Sequence, residues 1–190
     1  MKTEPLKSPA MTVEEYLDWA VRQPRRYELL NGEPIAMAPE RARHSYLKGM
    51  AHRALTDAIK HAKLPCIALP DGITVRINDH TAYEPDAAVL CGKAVKWDKM
   101  TLDAPMIVVE VNSPSSEGLD AGSKLTDYFS VDTIHHYLIV SPKRRVVVHY
   151  ARAGDIIETR IVREGELRLD PPGLTLAFDE LLPELPGDED

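Results

Sequence analysis

The stretch DAPMIVVEVNSPSS, residues 103 to 116, constrains the fold more than any other part of the chain. Met106 to Val111 is a short apolar run that stops at Asn112-Ser113-Pro114, the pattern of a buried strand ending in a turn. Glu110 interrupts that run. A lone ionised carboxylate among Met106, Ile107, Val108, Val109 and Val111 costs several kcal/mol unless positive charge meets it. Either the strand end is exposed there, or Glu110 has a partner worth that cost.

The rest of the chain supplies the sheet this strand needs. Thr12 followed by Glu15 makes a capping-box start for a helix from Val13 to about Arg22, stopped by Pro24. RYELLNGEPIAM reads as a hairpin, because two apolar-rich runs flank Asn31-Gly32. From His44 to Lys63, Leu47, Met50, Ala51, Ala54, Leu55, Ala58, Ile59 and Ala62 follow the spacing of one helix face. The opposite, outer face is expected to carry His44, Lys48, His52, Arg53, Lys60 and Lys63. Strands are predicted at about Cys66–Leu69, Ile73–Ile77, Asp86–Cys91, Met106–Val111 and Ile134–Val140, with a helix near Asp120 to Ser130. RRVVVHY and IIETRIV, joined through Ala-Gly-Asp, predict a further hairpin. The sum is a mixed sheet with helices packed on it, an α/β or α+β domain. That domain is expected over residues 11–182, with a flexible N-terminus (1–10) and an acidic flexible tail (183–190).

Bulk properties narrow the class. Thirty acidic against 23 basic residues give a formal charge of −7, which argues against broad nonspecific adhesion to nucleic acid but not against a locally basic groove. No apolar run approaches the roughly 18 residues of a membrane span, and MKTEPLKSPA lacks the apolar core of a secretory signal. Cys66 and Cys91 are accordingly expected as buried free thiols of a cytoplasmic protein.

A second carboxylate offers to resolve the question Glu110 raises. Asp86 follows a proline in YEPDAAVL and stands at the mouth of another apolar strand. If the two strands are neighbours, Asp86 and Glu110 can point into one cavity, where they repel unless a cation sits between them. Oxygen ligands without a matching Cys/His set favour a hard ion, Mg²⁺ or Mn²⁺, over zinc. The alternative is that both acids are solvated or salt-bridged. Lys124, in DAGSKLTDYF, stands at the border of its helix's apolar face. It either forms a surface pair with Asp120, worth about 0.3–0.5 kcal/mol, or reaches over the sheet edge toward the two acids. In the second case its ammonium could orient or help deprotonate a metal-bound water and steady charge on phosphate.

YELLNGE (27–33), EPDAAVL (84–90), VVEVNSPSS (108–116) and KLTDYFSVDTIHHYLIV (124–140) occur in the order and spacing of the Uma-two family. Over roughly Met11 to Tyr150 the chain resembles these bacterial restriction-endonuclease-like proteins of the PD-(D/E)xK nuclease superfamily. The resemblance implies a restriction-endonuclease-like fold: a mixed central sheet flanked by helices, with the site at one sheet edge. Pro85-Asp86 resembles the "PD" of the motif, Glu110 its second acid, and Glu28 an additional acid from an earlier segment. The backbone carbonyl of Val111 is implied to complete the metal shell. The motif's lysine position is Asn112 here, and Lys124 matches a lysine migrated onto the following helix. The implied activity is Mg²⁺-dependent (or Mn²⁺-dependent) hydrolysis of DNA phosphodiester bonds by Asp86, Glu110, Glu28 and Lys124. The alternative is a non-catalytic module of the same fold that binds nucleic acid or a protein.

Other features point less far. His135 and His136 are adjacent in a strand and so face opposite ways, and the histidines are expected to be solvated or locally bonded, not metal-bound. Ser113-Pro-Ser-Ser suits a turn better than a nucleophile. The basic helix face could track a DNA backbone, and Trp97 in KAVKWDKM could stack on a base, cap the core or pack in a dimer. Hairpin edge strands need cover, and a symmetric homodimer is the commonest cover.

Overall fold

The computed structural model describes residues 10–92, 95–112 and 121–185. In chain order its elements are α1 (Val13–Ala20), β1 (Tyr27–Leu30), β2 (Glu33–Ala36), α2 (Ala42–Ala62), β3 (Cys66–Pro70), β4 (Val75–Arg76), β5 (Ala82–Tyr83), β6 (Ala87–Cys91), β7 (Ile107–Val111), α3 (Ala121–Ser130), β8 (His136–Ser141), β9 (Val146–Ala153), β10 (Ile156–Val162), β11 (Glu166–Leu169), β12 (Leu174–Ala177) and α4 (Phe178–Leu181). The expected serine cluster at 113–116 and most of both expected flexible ends lie outside the described residues.

Local chemistry sets several of these boundaries. The capping box starts α1: the Glu15 N–H donates to Thr12 Oγ1 at 3.2 Å, and the Thr12 N–H donates to Glu15 Oε2 at 2.8 Å. Asn31 and Gly32, at φ 50° and 79°, make the tight turn joining β1 to β2. Positive φ at both central residues matches the twist of the flanking strands, which is why Asn-Gly reads as a hairpin.

Six strands form the main sheet in the order β10-β9-β8-β7-β6-β3. β7 and β8 are parallel, with α3 lying between them in the chain, and the remaining neighbours are antiparallel. Alternate residues of the central strands feed two cores. Ala87, Val89, Ile107, Val109, Val111, Leu138 and Val140 pack with Leu47, Ala51 and Leu55 of α2 and with the β11–β12 hairpin. Ala88, Leu90, Val108, Tyr137 and Ile139 pack against Tyr128, Ile134 and Tyr83 on the other face. Cover on both faces explains why the central strands read as continuous apolar runs and not as an alternation. A smaller sheet, β2-β1-β5-β4, lies on the α3 side and carries Glu28 on β1.

The thiol expectation is corrected here. Cys66 and Cys91 form a disulfide. They are directly opposed in the β3–β6 register, with Cα atoms 4.0 Å apart, and strand register is a tertiary fact that residues 25 apart in sequence do not disclose.

Candidate active site

The two acids that interrupt apolar strands meet at one end of the β6–β7 pair. Ala87 is opposed to Val109 at the end of the β6–β7 ladder, and Asp86 and Glu110 flank that pair; His44 and Lys48 meet Asp86 from the α2 side, while Lys124 and Tyr128 meet Glu110 from the α3 side. The Val111 N–H donates to Asp86 Oδ2 at 2.7 Å, which fixes the carboxylate against the end of β7. Asp86 is almost fully buried. Burial first, and then the charge of Glu110, pushes its carboxyl up to about 6.

Lys124 is the partner that Glu110 requires. Its Nζ donates to Glu110 Oε1 at 3.1 Å and to Glu28 Oε1 at 2.9 Å, and it lies 4.9 Å from the centre of the Tyr83 ring. One turn along α3, the Tyr128 hydroxyl donates to the same Glu110 oxygen at 2.8 Å. Burial works against the charge on Lys124, but Glu110 and Glu28 outweigh it and hold the ammonium well above the ordinary lysine range. Lys124 is therefore protonated at neutral pH and cannot serve there as a base; its chemistry is that of an oriented positive charge. Burial raises the Glu28 carboxyl, with Lys124 opposing that rise and Glu110 adding to it. The alternative pairing of Lys124 with Asp120 involves a residue outside the described set.

Sequence reasoning put His44 and Lys48 on the wet face of α2, and the structure corrects both. Lys48 is only 5% exposed and its Nζ reaches Asp86 Oδ1 at 3.1 Å, Asp71 Oδ2 at 2.8 Å and Glu40 Oε1. Those carboxylates overcome the effect of burial and keep it charged. His44 points its Nε2 at the Val111 carbonyl, 2.6 Å away, and at Asp86 Oδ2, 3.8 Å away. The carbonyl accepts, so Nε2 carries the proton. The signal was present: 44, 48, 51 and 55 continue one helical stripe with Ala51 and Leu55, and polarity alone hid it. His52 also turns inward, toward the Ala68 carbonyl at 3.2 Å. Arg53 and Lys60 do stand on the outer face, beside Asp57.

Around this centre Arg26 binds both Asp71 and Glu84, and the Glu84 N–H donates to Glu28. Asp86, Glu110, Glu28, Glu40, Asp71 and Glu84 thus surround the fixed cations Lys48, Lys124 and Arg26, leaving a surplus of negative charge. Beside Asp71 opens a cavity of about 450 Å³ walled by Leu69, Ile73, Leu90, Leu102 and Trp97. The Trp97 ring, 72% exposed, faces solvent and does not cap the core.

Two further histidines are paired inside the main sheet. His136 and His149 sit side by side in the sheet, Nδ1 of the first 3.0 Å from Nε2 of the second, and His136 Nε2 donates to the Pro171 carbonyl at 2.8 Å. The pair is locally bonded, not solvated. Among the described residues no three His, Cys, Asp or Glu side chains gather closely enough to enclose an ion, and no helix is long and apolar enough to cross a membrane.

Comparisons with known proteins bear on the family and the fold. The "Uncharacterized protein slr1290" of Synechocystis sp. is 28% identical over 182 residues, covering 90% of each chain. The "Uncharacterized protein sll1609" of the same organism is 25% identical over 147 residues, 76% of this chain and 82% of that one. The crystal structure of "a putative nuclease belonging to DUF820" from Anabaena variabilis superposes with a TM-score of 0.70 at 17% identity, covering 90% of this chain and 97% of that one. That likeness establishes the restriction-endonuclease-like fold. The Uma2 model, described as "Putative restriction endonuclease", matches residues 13–182. A match running from the first residue of α1 to the residue after α4 leaves one assignment: the chain belongs to the Uma2 family.

Proposed function

We propose that this chain is a divalent-metal-dependent endonuclease that hydrolyses DNA phosphodiester bonds. The family description and the fold support a nuclease. The observation that carries the finer reading is the lysine: the motif position is Asn112, yet the Lys124 ammonium stands 3.1 Å from Glu110 and 2.9 Å from Glu28. From α3 its ammonium reaches Glu110 and Glu28, while Asp86 is met by Lys48 of α2.

Two carboxylates and one backbone carbonyl are a sparse set, but their chemistry suits a hard ion. Asp86 is held near 6 by burial and by the charge of Glu110, a cost that a cation would remove. The donors are all oxygen: the two carboxylates and the Val111 carbonyl. Mg²⁺ accepts so sparse a set, leaving its other positions to water and phosphate oxygens. When bound there, it would polarise the scissile phosphate and lower the pKa of a coordinated water. The chain's own groups do the rest. Lys124, permanently charged, orients the attacking water and faces the negative charge that develops on phosphate. Glu28 holds Lys124 in place, Tyr128 fixes Glu110, and Lys48 fixes Asp86. His44 holds the Val111 carbonyl until that oxygen is needed. In the hydrolysis the water oxygen bonds to phosphorus as the phosphorus–oxygen bond to the departing alkoxide breaks; the proton the water loses passes to solvent and the alkoxide takes one up from solvent, leaving a phosphomonoester and an alcohol. Trp97 offers a flat aromatic face for a base beside the site.

The test is incubation of plasmid and single-stranded DNA with Mg²⁺ or Mn²⁺, using wild type, Asp86→Asn and Lys124→Met. Metal-dependent cleavage by wild type alone is the expected result. Equal cleavage by all three proteins, or none by any, would end the reading and favour the non-catalytic alternative.

A further inference from the structure

The strand β10 reads Ile156-Ile157-Glu158-Thr159-Arg160-Ile161-Val162 and is symmetric in chemical type about Thr159. One side pairs with β9, from Ile156 opposite Ala153 to Val162 opposite Val147. β10 ends the six-stranded sheet, and among the described residues no strand pairs with its other side. Natural edges are usually blunted by proline, lysine, a bulge or a covering segment. The opposite edge, β3, is short and ends in Pro70, whereas β10 carries neither proline nor lysine over seven residues. Ile156 and Ile161 are 62% and 65% exposed, and Ile157 is exposed as well.

We propose that β10 is the contact through which two copies of this chain associate, antiparallel about a twofold axis at Thr159, joining two six-stranded sheets into one. The inference stands apart from the nuclease reading, because β10 contributes no residue to the site. A twofold contact requires that when residue i meets j, j also meets i. Centred on Thr159, Glu158 of each copy faces Arg160 of the other, Ile157 faces Ile161, and Ile156 faces Val162. Within one copy Arg160 Nη2 already lies 3.1 Å from Glu158 Oε2, so both head groups share the face on which the second pair would arrive. The register is also protected against slippage. Ladder geometry allows symmetric shifts of two residues, and the first such shifts set Glu158 against Glu158 or Arg160 against Arg160, like charges that destabilise a cross-strand pair.

Light scattering on the wild-type chain at micromolar concentration is expected to give about twice the 21.2 kDa of one copy. Glu158→Arg and Arg160→Glu, each alone, oppose like charges at two symmetric positions and should weaken the dimer by about tenfold or more. Mixing the two single variants should restore a dimer, since two arginines then face two glutamates, and the double exchange Glu158→Arg/Arg160→Glu should be dimeric by itself. Circular-dichroism melting confirms that each variant is folded. A monomeric wild type, a folded single variant that stays fully dimeric, or a double exchange or mixture that stays monomeric would overturn the proposal.

Discussion

Replacing Lys124 with methionine keeps the length of the side chain and removes the one ammonium between Glu28 and Glu110. The three side chains are only 13–16% exposed, so water cannot take over the role of the lost charge. Breaking a buried pair by deleting one partner costs about 3–5 kcal/mol. At about 2–4 °C per kcal/mol for a chain of this size, the melting temperature should fall by roughly 6–20 °C. The loss should also depend on pH. Burial already holds Glu28 above the ordinary carboxylate range, and without Lys124 opposing it that rise grows. An acid with a raised folded pKa favours the folded state while it is protonated and loses that contribution as pH rises through the folded value. The variant's deficit should therefore be smaller at mildly acidic pH, where Glu28 is protonated, than at mildly alkaline pH, where it is charged and unpaired. Differential scanning calorimetry across that range is the assay. A melting temperature indistinguishable from wild type, or a deficit equal at both ends of the range, would show that Lys124 is not the counter-charge of this site.

Other outcomes follow from the same geometry. Asp86→Asn leaves an acceptor for the Val111 N–H, so the fold should survive while the Mg²⁺-induced rise in melting temperature disappears and cleavage falls by at least about a hundredfold. Mg²⁺ affinity measured by calorimetry should weaken below about pH 6 and binding should release protons, because Asp86, pushed to about 6, must ionise to bind the ion; a flat affinity from pH 5 upward would contradict this. Burial lowers His136 and His149 to about 4; at His136 the Pro171 hydrogen bond and Asp170 oppose the effect and His135 adds to it, while at His149 both His136 and Arg160 add to it. Their neutral forms favour the fold, so that stability is complete above the ordinary histidine range near 6.5 and is lost as pH falls through about 4. Nuclear magnetic resonance should find His136 and His149 still neutral at pH 5, and ordinary titration of both would refute the buried pair.

Local elements and the out-of-place carboxylates are legible in the chain alone, for reasons that act over a few residues. Continuous apolar runs announced β6 and β7, Asn31-Gly32 set a turn by its tolerance of positive φ, and the Thr12–Glu15 pair started α1. Glu110 and Asp86 stood out because charge among apolar neighbours is costly. What meets what was left to packing and register. Register brought Cys66 to Cys91 and set Asp86 and Glu110 at the same end of the β6–β7 pair, and the packing of α2 over the sheet turned His44 and Lys48 into the site when their polarity had suggested solvent. Helix α3 carried Lys124 between two acids that lie 14 and 96 residues away in the chain. Hydrophobic spacing fixes which face of an element is buried, but a polar residue on that face is paired or wasted according to partners that only the folded chain supplies.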